Sequence, residues 1–352
     1  MDHNSNLGHG NVTRRTCLKA FAGAFAVPLA AGLAGCGSTS GSSSAGSDTG
    51  SSASDASYKI GALQLTEHQA LDDANQGFVD ALDDSGIDYT IDQQNAQNDQ
   101  TACQTIASKL VNDGNDLILA IATPAAQAVA GATSDIPIVA TAITDFQESG
   151  LVQDNDKPGT NVTGTSDLTP VKEQMELLQQ LFPDAKTVGI LYCSAESNSD
   201  IQASMAEDAA KDLSLSTERY TVSSSNEIQQ VVESMVGKVD VCYAPTDNTI
   251  AAGMSTVTMV ANDNGLPVIA GEENMVANGA LASYSINYHD LGYKAGQMAV
   301  KILQDGDDPA DMAIEYLDAD ECTLVVNSDT ASALGVDISG LDGATDLAGT
   351  AE

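Results

Sequence analysis

Tryptophan is absent from this 352-residue chain, and aromatic residues make up only 4% of it. Basic residues are scarce too: 13 Lys and Arg stand against 50 Asp and Glu, a formal charge of −37. That argues against nucleic acid or an anionic membrane surface as a partner, because phosphate contacts need clusters of Lys and Arg. It does not argue for a cationic substrate, since net charge speaks to solubility more than to a site. Histidine is nearly missing from the body, which holds only His68 and His289, so no metal site is expected. The body contains no H-E-x-x-H, P-loop, G-x-G-x-x-G or G-x-S-x-G. Nothing can therefore be named as a catalyst, and no cofactor is expected. What is present is 42% hydrophobic, with apolar runs recurring from Tyr58 to Val326. That is enough for a sizeable core and about two domains.

The first residues read as an address. Arg14 and Arg15 precede an apolar run from Ala20 to Ala34, broken by Pro28 and too short to span a bilayer comfortably. The pair points to twin-arginine export. Cys17 stands where that motif often has Phe, so general secretory export stays open. The run ends Leu33-Ala34-Gly35-Cys36, which resembles a bacterial lipobox and implies cleavage before Cys36 and its lipidation. Stable anchoring takes more than one acyl chain. Cleavage removes three basic residues and one acidic residue, leaving 10 against 49, or −39. Residues 37–57 are nearly all Ser, Gly, Ala, Asp and Thr, a flexible linker reaching roughly 25 Å. Cys103, Cys193, Cys242 and Cys322 are widely spaced without C-x-x-C. They read as buried thiols, with one disulfide as the alternative.

The body alternates strand and helix signals. Strands are expected at 58–65, 89–93, 116–122 and 136–141, with helices over 69–85 and 101–111. Thr123 reads as an N-cap with Pro124 at the first helical position. The pattern restarts with a helix over 171–181 and strands at 187–192, 215–222, 239–243, 267–270 and 280–285. Helices are expected over 199–213, 227–236, 249–264 and 289–304. A late strand pair is expected within 313–327, and a loose tail at 342–352. This predicts an α/β fold of two lobes, each a parallel sheet with helices on both faces. Lobe I would take 58–167 and 287–305, and lobe II 168–286 and 306–341. Ligands of such sheets bind outside the carboxyl ends of the strands. The residues there are polar and come from both halves of the chain: Thr66 to His68, Asn95, Thr123-Pro124, Thr144-Asp145, Ser194 to Asn198, Thr246 to Asn248, and Glu272.

Several segments resemble the tryptophan/tyrosine-binding family of ABC-transporter substrate-binding proteins. They are Gln64–Phe78 (QLTEHQALDDANQGF), Asn95–Asp99, Ala120–Ala128 (AIATPAAQA), Thr141–Val152 (TAITDFQESGLV), Pro158–Asp167 (PGTNVTGTSD), Gly189–Ser199 (GILYCSAESNS) and Ala244–Thr249 (APTDNT). Together they cover most of 58–335. Gln69 and Phe146 depart from the pattern, each standing where the family tends to have Pro. The resemblance implies a type I periplasmic-binding-protein-like fold with a hinge between lobes. Crossings would fall near Gly164–Leu168, near Ile286–His289 and after the last long helix. It also implies a monomer, a small solute such as an aromatic amino acid, and delivery to an ABC permease with its ATPase subunits.

Within the polar set, Thr123 and Pro124 are the first choice for a carboxylate, because a helix start offers unpaired N–H groups and a positive dipole end. Ser197 and Asn198 offer the same from lobe II. Asp247, steadied by Asn248, is the first choice for an ammonium group, against ordinary helix capping. Asp145 competes for that role. Glu67 and His68 open the first helix, where acid is ordinary electrostatics; Glu196 and Glu272 are weaker candidates. Among the tyrosines near strand ends, Tyr284 is the one singled out to stack on a ring. The rival readings are a ligand-sensing surface lipoprotein, a surface hydrolase, and a transcription regulator, against which the export leader argues.

Overall fold

The computed structural model describes residues 57–317 and 321–350. Arg14, Arg15, Cys36 and most of the linker lie outside them. The first sheet is built from β1 (Tyr58–Gln64), β2 (Tyr89–Asn95), β3 (Leu117–Ile121), β4 (Ile138–Ile143) and β5 (Val162–Ser166). Every residue of β3, β4 and β5 is buried, as in parallel strands covered on both faces. The edge strand β2 stays partly exposed along its length. Helices α1 (Gln69–Ser85), α2 (Gln100–Asn112) and α3 (Thr123–Ala132) make the crossovers.

The chain leaves this lobe after Ser166 and enters the second through α4 (Val171–Leu181). There follow β6 (Thr187–Cys193), α5 (Ser197–Asp212), β7 (Ser216–Val222), α6 (Ile228–Met235), β8 (Val241–Ala244) and α7 (Asn248–Ala252). Next come α8 (Met254–Asp263), β9 (Val268–Ala270), α9 (Glu273–Ala277) and β10 (Ala282–Ser285). It returns as α10 (Tyr288–Val300), which packs on α1, and adds β11 (Glu315–Tyr316) beside β5. A third crossing leads to β12 (Thr323–Val326), α11 (Ser328–Leu334) and β13 (Thr345–Asp346). The sheet orders are β11-β5-β4-β3-β1-β2 and β13-β12-β10-β9-β8-β6-β7. The second lobe has a separate apolar cluster for each helix layer: one gathers α6, α8 and α9, the other α4, α5 and α11.

Five expectations need correction. The second sheet is not wholly parallel: β12 runs antiparallel to β10, because it arrives directly from the other lobe without a crossover helix. The late strands do not pair with each other, and β11 belongs to the first sheet, so 306–341 is not all lobe II. The tail is not loose at Thr345–Asp346, which pairs with β12. Asp346 accepts from Ser328 N there, and Leu347 packs on the core. The helix expected over 249–264 breaks at Gly253, where an added Cβ would lie 2.3 Å from Ile228 Cδ1. Helix α9, too short for a periodic signal, was not expected; Glu272 caps it. Cys103, Cys193, Cys242 and Cys322 are free thiols, the first three buried. No helix among the described residues is long and apolar enough to cross a membrane.

The contact of α1 with α10 rests on glycine. A Cβ on Gly77 would lie 2.0 Å from His289 O, and one on Gly292 1.9 Å from Ala74 O. Gly292→Ala is therefore expected to cost about 1–3 kcal/mol, the usual price of overpacking. Gly131→Ala, in helix α3 with open space around it, should be neutral or gain up to about 1 kcal/mol. Urea denaturation of the two variants checks both.

Candidate functional site

The carboxyl ends of both sheets face one another, and polar side chains bridge them. Asn98 Nδ2 donates to Thr249 Oγ1 at 2.8 Å, and His68 Nε2 lies 3.2 Å from Asn248 Oδ1. Gln100 Nε2 donates to Ala195 O at 2.9 Å, and Gln127 Nε2 reaches Ser197 Oγ at 3.3 Å. Gln202 Nε2 donates to Thr144 Oγ1 at 3.0 Å and also bonds Thr246 Oγ1. The lobes are thus closed on each other. Between them lies a cavity lined by His68, Asp167, Asp247, Glu272 and Tyr288, with Leu71 and Met275 as apolar wall. At about 10 Å³ it has room for roughly one water. A solute of amino-acid size reaches these groups only when the lobes part. A wider pocket of about 390 Å³ is lined by Glu67, Asp73, Glu273 and the C-terminal Leu347 and Thr350.

Backbone strain gathers on the first-lobe side of the cleft. Gln97, Asn98, Ala122 and Ala142 all have φ between 52° and 79° without being glycine. Non-glycine residues hold this conformation only where their surroundings impose it, and such sites cluster where ligands are gripped. Ala122, at φ 79°, precedes α3 and offers no capping side chain. Thr123 is therefore not an N-cap but the first helical residue, and Pro124 the second. Thr123 is fully buried and its Oγ1 has no hydrogen-bond partner. The start of α5 is similar: Glu196 precedes it without capping it, and Asn198 is buried with Oδ1 unpartnered. Ser197 itself is exposed. Two uncapped helix starts, one from each lobe, are thus brought together by Gln127 and Ser197.

The acidic residues divide by how their oxygens are used. Asp247 caps α7 through Ile250 N (2.8 Å) and also accepts from Cys193 N (2.6 Å) and Ser199 Oγ (2.7 Å). Its position reflects the ordinary capping alternative. Burial and then the neighbouring charge of Glu196 push its carboxyl upward. Asn248 begins α7 and bonds Glu196. Asp145 is held in its own turn by Glu148 N and Asn155 Nδ2 and is not among the cavity-lining residues. Glu67 is exposed at the outer pocket, while His68 reaches the seam and is pushed downward by burial. Tyr284 packs on the outer apolar cluster of the second lobe, because alternation along β10 turns it that way. Of the departures, Phe146 is buried in the first-lobe core and Gln69 opens α1.

Three groups were not singled out as site residues: Asp167, Tyr288 and Gln202. Asp167 ends the first crossing, 5% exposed. Its side-chain donors are Tyr288 Oη (3.0 Å) and Thr144 Oγ1 (3.4 Å), and burial raises its carboxyl to about 6. Glu272, with two backbone donors, is raised by burial to about 8. No Lys or Arg lines the cavity. The signal available was Asp167 at the end of a strand, but its strand was read as hinge rather than as wall.

The comparisons fit this geometry. The model of the family described as ABC transporter substrate binding protein matches residues 59–341. The chain belongs to that family. It is 47% identical over 279 residues to a "Tyrosine-binding protein" of Clostridioides difficile, covering 78% of this chain and 80% of that protein. Among solved structures, an ABC domain of Streptococcus pneumoniae in complex with L-Trp is 40% identical, with a TM-score of 0.80 over 83% of this chain and 99% of that one. The ligand-free, open structure of a Clostridium difficile substrate-binding protein with adhesive properties is 44% identical over the same shares, yet its TM-score is 0.64. The more identical protein is the less similar in shape, as expected where lobe arrangement, not fold, separates them.

The raised Asp167 fixes a pH dependence. A carboxyl whose folded value lies above its unfolded one costs stability when ionised. The loss sets in as pH rises from about 4 and is complete above about 6, amounting to about 3 kcal/mol. Asp167→Asn should therefore stabilise the unliganded protein at pH 8 relative to its effect at pH 4, as read by urea midpoints at both pH values.

Proposed function

We propose that this substrate-binding protein is the extracytoplasmic, lipid-anchored component of an ABC importer, and that it carries an aromatic amino acid between its lobes to a permease driven by ATPase subunits. The observation that carries this reading is that the seam joins the two charges a free amino acid needs. The uncapped starts of α3 and α5, with Thr123 and Asn198, suit a carboxylate. Asp167, the buried acid with only two hydroxyl donors and no cationic partner in the cavity, suits an ammonium group. Asp247, occupied by three donors, takes a supporting role. Gln202 links the two ends through Thr246 and Thr144. Leu71 and Met275 supply apolar wall, and the relatives that bind tyrosine or L-Trp favour a ring there. The ligand draws the lobes together because only then do both touch it.

Titration calorimetry with the twenty amino acids tests the reading: L-tyrosine, L-tryptophan or L-phenylalanine should bind, and sugars should not. Asp167→Asn should weaken binding by about 30-fold or more, the cost of removing one member of a buried charge pair. In the unaltered protein affinity should fall as pH drops below about 6, where a proton competes with the ammonium group for Asp167. Binding of a sugar alone, or of nothing, would refute the ligand. For the anchor, Cys36→Ser should move the protein from the membrane fraction to the medium; retention would refute lipid attachment at that residue.

A further inference from the structure

Resting on the reading of two lobes that close around a solute, we infer that Glu196 is a positioning residue that holds a direct lobe-to-lobe latch beside the interlobe cavity, which two latch members, His68 and Asn248, also line. Glu196 is 3% exposed and does not line the interlobe cavity. Its two oxygens are divided between two neighbours. Oε2 accepts from Asn248 N (3.2 Å) and Asn248 Nδ2 (2.6 Å). Oε1 accepts from Thr249 N (2.9 Å) and Thr249 Oγ1 (2.7 Å).

This leaves each neighbour with one thing to offer the other lobe. With its amide nitrogen committed, Asn248 presents Oδ1, and His68 Nε2 stands 3.2 Å away. With its proton committed, the Thr249 hydroxyl presents a lone pair, and Asn98 Nδ2 donates to it at 2.8 Å. The carboxylate thus sets the polarity of the latch: two acceptors on the second lobe meet two donors on the first. Asn98 is held ready by a left-handed backbone, φ 60°, a conformation asparagine tolerates better than most residues. The residues flanking Glu196 touch the first lobe as well, Ala195 through Gln100 and Ser197 through Gln127. A glutamine at 196 would offer one acceptor oxygen and turn an NH₂ group toward the remaining donors, so one latch contact would lose its orientation outright.

A latch between the lobes slows opening, and where it holds the unliganded lobes shut it also slows entry. Stopped-flow kinetics with L-tyrosine should show koff raised roughly 2- to 10-fold in Asn98→Gly, the worth of one net hydrogen bond. Glycine keeps the left-handed backbone there. Glu196→Gln should raise koff by at least as much, with kon unchanged or raised, and not lowered, in both. In the double variant the combined effect should fall short of the product of the two, because both act through the contact with Thr249. In Asn98→Gly, whose altered side chain does not line the cavity, the preference for L-tyrosine over L-phenylalanine should not change. An unaltered koff in Asn98→Gly, or effects that multiply in the double variant, would overturn the latch. If Glu196→Gln does not fold, Asn98→Gly carries the test, being an exposed change in the other lobe. Failure of L-tyrosine to bind the unaltered protein would count against the ligand reading alone. Small-angle scattering of the unliganded proteins then decides the latch: a larger radius of gyration in Asn98→Gly supports it, and an equal one overturns it.

Discussion

Carboxylates taken out of water between two closing lobes are the constraint on which this architecture turns. A buried charge costs several kcal/mol unless donors or an opposite charge replace its hydration. Here Asp167, Glu196, Asp247 and Glu272 are all buried, and neither Lys nor Arg lines the cavity that Asp167, Asp247 and Glu272 share. The fold meets the cost with backbone and hydroxyl donors instead of cations. Glu196 receives four donors, Asp247 three and Glu272 two from the backbone. From other residues Asp167 receives only the hydroxyls of Tyr288 and Thr144. That ordering separates scaffold from site: a fully satisfied acid fixes a helix start, and an under-satisfied one is available to a cation.

Local signals read well wherever one face decides the structure. Helix α1 begins at Gln69 and ends at Ser85, as its apolar spacing requires, and Gly86 closes it in the left-handed conformation. Within the run DLILAIA, Leu117–Ile121 forms a strand buried along its whole length because nothing in it could face water, and Asp116 lies exposed just before it. The polar set at the strand ends was legible for the same reason, since a parallel sheet directs its loops to one edge.

What failed to read was whatever depends on partners distant in sequence. Asp247 carries the same local signature as an N-cap and as a ligand group; only Cys193 and Ser199, contributed by other elements, decide between them. Asp167 looked like hinge because its meaning comes from Tyr288, 121 residues away. The place of Tyr284 in the chain suggests a ring contact, but the alternation of β10 turns it to the cluster of α4, α5 and α11. The two-residue strands β11 and β13 are too short to carry a pattern, and sheet membership there is set by which lobe the chain happens to be crossing.

The three crossings also bear on the order in which the molecule is made. The second-lobe core from α4 to β10 is one continuous stretch, whereas the first lobe lacks the helix that covers α1 until α10 has been synthesised. His289 of α10 meets Asp80 of α1 across 209 residues of sequence. The first lobe to emerge from the ribosome is therefore completed only after most of the second has been made, and β12 to β13 of the second lobe follow last. Until α10 arrives, the apolar face of α1, with Leu71, Phe78 and Leu82, has no cover from its partner helix. A contact of such long range is slow to find, and exposed apolar surface in the meantime invites association. Assembly of the first lobe is thus a late event that waits on the second lobe's passage.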